Sequence, residues 1–172
     1  LIGHDMAMLN LGAWEITAGA AKYSAFIIEG GAVWGPVTDK TVPFIQRYKE
    51  RWEKPPEAHT TFGFYDAVYM YKKAVERAVE AGEEDPFSSK TLIPYLEKFD
   101  KDDPYKGTTG FRAFTQPGAE RVHELVWGDE YVRNLPVQWM GPASEDGMVI
   151  FWPPEVKTGE FTLPPWINTD KW

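Results

Sequence analysis

One periodic stretch, His59 to Gly82 (HTTFGFYDAVYMYKKAVERAVEAG), constrains the fold more than any other part of the chain. Phe64, Val68, Tyr71, Val75 and Ala78 recur at alternating spacings of four and three, the repeat of one side of a helix. Asp66, Lys73, Arg77 and Glu80 fall on the opposite side. The pattern predicts a long helix that buries Phe64 to Ala78 and leaves Asp66 exposed. Thr60 or Thr61 can cap its start, because a hydroxyl accepts from a free first-turn amide. Gly82 can stop it, since glycine tolerates positive φ. His59 and Thr60, at the head of the helix, are where a ligand could meet free backbone N–H groups. Simple capping is the competing reading of both.

Around this helix the other elements fall in order. Leu1-Ile2-Gly3 reads as the end of a buried strand, and His4-Asp5-Met6 as the turn at its carboxyl end. Met8 to Ala21 reads as a short helix with Gly12 and Gly19 as weak points. Tyr23 to Ile28 is a second strand, closed by Glu29-Gly30-Gly31. Thr41 to Trp52 is a helix with Pro43 in its first turn and a stripe of Phe44, Ile45, Tyr48 and Trp52. Lys90 to Phe99 is another, capped by Ser88 or Ser89, with Leu92, Tyr95, Leu96 and Phe99 inward. From Gly107 the period becomes two: a strand around Thr109 to Ala113, a turn at Gln116-Pro117-Gly118, and a strand from Val122 to Trp127. Val137 to Trp139 and Met148 to Trp152 form a hairpin around Ser144 to Gly147, and Pro153 to Trp172 is an extended tail. The order of elements gives an α/β or α+β chain.

Chemistry is sparse by comparison. The net charge of −8 argues against nucleic acid, which needs a basic face. There is no Cys, and no apolar run approaches the length of a membrane span. His4, His59 and His123 show no metal-ligand spacing, so no metal and no cofactor is expected. Neither a phosphate loop nor a nucleophile elbow is present. A self-contained enzyme has little support; the form it would take is a small hydrolase using Asp5 and His59. Asp5 lies at the carboxyl end of a strand, where ligands bind in open α/β sheets and where a carboxylate can hold an ammonium. Its alternative role is to cap the helix from Met8.

Taken as an ordered set, these pieces resemble the C-terminal half of a type I periplasmic binding protein, in the branched-chain amino acid or amide branch. The residues that carry the resemblance begin with Leu1-Ile2-Gly3-His4-Asp5 and Ala20-Ala21-Lys22-Tyr23-Ser24. Phe44-Ile45-Gln46-Arg47-Tyr48 with Pro55-Pro56, and Phe62-Gly63-Phe64-Tyr65-Asp66-Ala67-Val68 with Ala74, come next. Gly107-Thr108-Thr109-Gly110 with Phe114, Val137-Gln138-Trp139, Val149 to Pro153, Thr158-Gly159 and Leu163-Pro164-Pro165-Trp166 complete it. One departure is Tyr23-Ser24, where the family usually has an acidic residue and Gly; it bears on the local turn.

The resemblance implies two Rossmann-like lobes joined by three crossings, with a ligand in the cleft. Residues 1–30 would belong to the C-terminal lobe, 31–135 to the N-terminal lobe, and 136–172 to the C-terminal lobe and tail. It implies an extracytoplasmic solute-binding subunit of an ABC importer, partnered by a permease and by the missing N-terminal half. The ligand would be a small polar molecule, an amino acid (branched-chain) or amide. A ligand-sensing regulator on the same fold is the alternative. Asp5, with His4 and Met6, would hold the ligand's ammonium, and His59 and Thr60 would line the pocket from the other lobe. Gly30, Gly31, Asn134 and Leu135 would be hinge residues. Each lobe would be incomplete here and would expose apolar faces, at about 25 cal/mol per Å² left open.

Overall fold

The computed structural model describes residues 2–3, 7–10, 12–28, 34–142 and 147–171. A four-stranded mixed sheet anchors it, in the order β1-β2-β5-β6. Strand β1 (Ile2–Gly3) runs parallel to β2 (Ala25–Ile28). Strand β2 is antiparallel to β5 (Leu135–Trp139), with Phe26 opposite Val137 and Ile28 opposite Leu135. Strand β5 is antiparallel to β6 (Met148–Ile150). The chain therefore leaves the sheet after Ile28 and rejoins it beside the same residue at Leu135.

One face of β2 and β5 is apolar and faces the core, while the other carries Ile27, 41% exposed, and Gln138 under the tail. Phe26, Ile28, Leu135, Val137 and Trp139 share that buried face, and Ala25 is buried on the other. The Trp139 indole keeps its one donor satisfied by the Met8 carbonyl at 3.1 Å. The Gln138 amide clamps the tail, donating to the Thr162 carbonyl and accepting from the Thr162 amide, both at 2.9 Å.

The helix expected from Met8 to Ala21 is broken. A 3₁₀ turn (Ala7–Leu9) and a four-residue helix, α1 (Ala13–Ile16), stand in its place. The Thr17 hydroxyl donates to the Ala13 carbonyl and accepts from the Ala21 amide, so it competes with helical pairing. Ala18 and Gly19 then turn left-handed. Tyr23, at the position where the resemblance departs, has φ of 69° and donates its amide to the Trp139 carbonyl at 2.7 Å.

Helix α2 (Thr41–Trp52) has the expected span. Phe44 and Ile45 are buried, but Trp52 is exposed, because the helix end runs beyond the core. Helix α4 (Ser89–Glu97) is capped by Ser88, whose hydroxyl accepts from the Thr91 amide. Between them lies α3 (Ala58–Glu80), which begins before Thr60 and Thr61; neither caps it, and the Thr61 hydroxyl instead donates to the Glu57 carbonyl. Its end is a Schellman turn: the Glu83 amide reaches the Ala78 carbonyl, and that of Gly82, at φ of 77°, reaches Val79.

The buried face of α3 is not the one its spacing predicts. Phe62, Asp66, Met70, Ala74 and Ala78 are at most 4% exposed, while Phe64, Val68 and Tyr71 face solvent. Two cores follow. One joins the sheet to α2 and Phe62; the other joins the C-terminal part of α3 to α4 and Tyr105. A small hairpin of β3 (Tyr105–Lys106) and β4 (Phe111–Arg112) packs beside them. The strand expected from Val122 to Trp127 makes only isolated bridges, at Phe114–Leu125 and Trp127–Val132, and both of its end residues are exposed.

Candidate functional site

Asp66 sits one turn after Phe62 and one turn before Met70, so α3 carries it into the interior. A carboxylate there must be paired. It accepts from the Thr108 amide at 2.9 Å, from the Thr108 hydroxyl at 3.1 Å and from the Arg112 Nε at 2.8 Å. The other arm of the guanidinium donates to the Thr109 hydroxyl at 3.0 Å. The Thr41 hydroxyl, at the start of α2, donates to the Thr108 carbonyl at 2.6 Å, and the Thr38 hydroxyl to the Gly107 carbonyl at 2.8 Å. Gly107 must be glycine: a Cβ there would lie 2.4 Å from the Asp66 carboxylate.

This cluster ties α2, α3 and the β3–β4 hairpin together. It is closed and fully paired, which suits a structural role better than ligand capture. The sequence reading placed Asp66 in solvent because it followed the aromatic stripe. The signal that could have found it is Phe62-x-x-x-Asp66-x-x-x-Met70-x-x-x-Ala74, a second stripe with one carboxylate in it.

Tyr105 borders the cluster. Burial, reinforced by the nearby Asp66 charge, pushes its phenol up to about 12. At the surface, Glu155 is held low by its backbone hydrogen bond and by Arg133, at 2.8 Å. His123, at the surface, meets Glu97 at 2.7 Å. Among the described residues no group of three or more His, Cys, Asp or Glu is placed to hold a metal ion. No helix among them is long and apolar enough to cross a membrane.

The expected ligand residues meet the structure unevenly. His4, Asp5 and Met6 lie outside the described residues, as do Gly30 and Gly31 and the side chain of His59. Thr60 is exposed in the first turn of α3. Asn134 is exposed just before β5, whereas Leu135 is buried as its first residue. Because Leu135 pairs with Ile28, the ends of β2 and β5 that flank the two expected crossings are neighbours. Grooves lie elsewhere among the described residues. One of 530 Å³ is bordered by Thr38, Lys106, Tyr131, Arg133 and Glu155. Another, of 410 Å³, is bordered by Lys40, Tyr69, Lys72, Lys73 and Lys106.

No protein-family model and no curated protein matches the chain. Solved structures do. A protein of Silicibacter pomeroyi assigned as a branched-chain amino acid ABC transporter matches 92% of this chain at 22% identity, with a TM-score of 0.61. A leucine-binding protein of Thermotoga maritima matches 78% at 20% identity and a TM-score of 0.51. An ABC transporter substrate-binding protein of Desulfitobacterium hafniense, in complex with Leu, matches 80% at 18% identity and a TM-score of 0.50. The chain spans 39% of the first of these and 32% of each of the others. It therefore has the fold of part of a type I periplasmic binding protein.

Proposed function

We propose that this chain is the C-terminal part of an extracytoplasmic solute-binding subunit of an ABC importer, which captures an amino acid (branched-chain) or amide in a cleft between two lobes. The observation that carries the reading is the fold likeness over 92% of the chain to a protein assigned to branched-chain amino acid transport. The bound Leu in the Desulfitobacterium protein supports the ligand class. The partners on this reading are the permease and the remainder of the two-lobe fold.

Residues 1–30 and 136–172 form one lobe's share, and residues 31–135 the other's. Asp5, flanked by His4 and Met6, receives the ligand's ammonium, and His59 and Thr60 approach from the head of α3. Gly30, Gly31, Asn134 and Leu135 take the bending. The pairing of Ile28 with Leu135 supports this, because crossings that begin side by side can share one axis.

Calorimetry of the whole protein against a panel of amino acids and amides tests the function. Saturable binding without turnover is the expected result, and slow hydrolysis of a panel member refutes it. Asp5→Asn should weaken amino-acid binding by a few kcal/mol, the cost of a buried charge left unpaired. Unchanged affinity removes Asp5 from the ammonium pocket. Gly30→Ala should slow closure and weaken binding with the fold intact, as judged by stopped-flow fluorescence; unaltered closure refutes the hinge.

A further inference from the structure

The sheet order β1-β2-β5-β6 sets two edges on opposite sides of the expected crossings. The chain leaves from the end of β2 and returns at the start of β5, the two central strands. Asp5, the expected ammonium ligand, comes two residues after β1, at one edge. The turn Pro154–Val156 follows β6, at the other. There the two expected parts of the chain meet. Arg133 donates to the Glu155 carboxylate at 2.8 Å, in a groove bordered by Thr38, Lys106 and Tyr131 from one part and by Val156 from the other. Gly35 presses on the same edge: a Cβ there would lie 2.1 Å from Ile150 Cδ1 and 3.5 Å from the Val156 carbonyl oxygen.

The two ends of this ion pair are fastened to different parts. Arg133 goes with the β3–β4 hairpin, through the Phe111–Tyr131 bridge and the hydrogen bond from the Phe111 amide to the Glu130 carbonyl. Glu155 goes with the sheet. Val156 beside it is buried in the sheet's core. Two residues further on, the Thr158 amide donates to the Ile150 carbonyl and its hydroxyl accepts from the Ile150 amide, each at 2.8 Å. Asn134, an expected hinge residue, alone separates Arg133 from β5. Bending there moves the guanidinium relative to its carboxylate. Asp129 and Glu130 border the groove from Arg133's own side and travel with it. Among the described lining residues Glu155 is the one charge that comes from the tail.

We propose that the Arg133–Glu155 pair is a latch behind the crossings, which holds the ligand cleft open and parts when the cleft closes. A rotation about the crossings that draws the two parts together at the β1 edge draws them apart at the β6 edge. The proposal rests on the two-lobe reading above and names what opposes closure. A closed state that is seldom populated lowers apparent affinity, so whatever favours the open state weakens binding. An ion pair with one partner in solvent contributes modestly. Its loss should therefore tighten binding about two- to fivefold, opposite in sign to the loss of a pocket residue.

Arg133→Met, Glu155→Gln and the exchanged pair Arg133→Glu/Glu155→Arg are compared in the whole protein. Dyes on Glu120→Cys and Asn168→Cys, exposed positions on the two parts, report the opening, with any other Cys of the polypeptide replaced by Ser. Single-molecule energy transfer counts closed and open molecules with no ligand added. In each single variant the closed-to-open ratio should rise about two- to fivefold, and the affinity for L-leucine, by calorimetry, should rise by the same factor. The exchanged pair should return both towards the original values. Lys54→Met, which breaks the ion pair with Glu57 away from the groove, should change neither. An unchanged or lower ratio in the single variants overturns the latch, as does a single fixed distance in every protein or leucine binding that weakens. Absence of L-leucine binding refutes the leucine reading alone, and the ligand-free ratio still decides the latch.

Discussion

Replacing Asp66 should be among the most damaging single changes in this chain. Asp66→Ala removes the acceptor shared by the Thr108 amide, the Thr108 hydroxyl and the Arg112 Nε, all buried. Each neutral donor left unpaired costs about 1–3 kcal/mol. A buried guanidinium without its carboxylate falls in a class that costs about 3–5 kcal/mol. These losses overlap, because the site can relax or admit water, so about 3–5 kcal/mol in total is the expected cost. A domain of this size has roughly 5–15 kcal/mol of stability in all. Asp66→Asn keeps one acceptor oxygen but turns its amide toward a donor, and should lose somewhat less, about 2–4 kcal/mol.

Urea unfolding, followed by tryptophan fluorescence and far-ultraviolet circular dichroism, measures each loss. The double variant Asp66→Leu/Arg112→Met separates the pair from its surroundings. It should be more stable than the sum of the single losses predicts by about 1–3 kcal/mol, since neither partner is then left charged and alone. Strict additivity would show that the ion pair does not act as a unit. A loss below about 1 kcal/mol for Asp66→Ala would refute the claim that this carboxylate pins the β3–β4 hairpin to α3.

Three further outcomes follow from local geometry. Gly110→Ala should lose at least about 2 kcal/mol by urea unfolding, because φ is 129° and a Cβ would sit 2.3 Å from the Tyr131 carbonyl oxygen; Gly82→Ala, with open space at φ of 77°, should lose about 1 kcal/mol. Ser88→Ala should cost about 1 kcal/mol and fray α4 at its start, seen as faster amide exchange at Thr91. Stability should be flat through neutral pH and fall between about 10, the phenol's unfolded value, and about 12, its folded value. The sign follows from the raised pKa: the folded state holds the Tyr105 proton more tightly, so unfolding releases it in that window. Tyr105→Phe should make this part of the curve shallower, the phenols of Tyr65 and Tyr95, also raised by burial, supplying the rest, and an unchanged alkaline slope would exclude Tyr105 as a source.

Much of the fold was legible where local pattern and burial agree. Thr41 to Trp52, the Ser88 cap, the Gly82 stop and the Val137–Met148 hairpin depend on caps, glycine geometry and simple periodicity. The region after Met8 was misread because the competing partner is a side chain. The Thr17 hydroxyl bonds the backbone at both ends of the turn, and no apolar repeat records that. The region after Gln116 was misread for a related reason. Thr115 ties it down through both hydroxyl and backbone, so its alternation never becomes a ladder. The expected ligand residues rest on residue types at strand and helix ends, and His4, Asp5, Met6 and the side chain of His59 lie outside the described residues. A pocket drawn from segments far apart in sequence leaves no trace in periodicity, which records only local neighbours.

The misassigned face of α3 is the informative error. Periodicity reports which side chains gain by leaving water; it does not report which surface receives them. Phe64, Val68 and Tyr71 make the more hydrophobic stripe, yet the chain buries the one that contains Asp66, with Ala78 and part of Val75 alone of the expected stripe turned inward. The β3–β4 hairpin explains the choice. Thr108 and Arg112 offer three donors that only Asp66 satisfies, so turning α3 the other way would bury them unpaired or expose the carboxylate. Polar complementarity thus fixes the rotation of the helix against its own chain, and the larger hydrophobic gain is left on the outside.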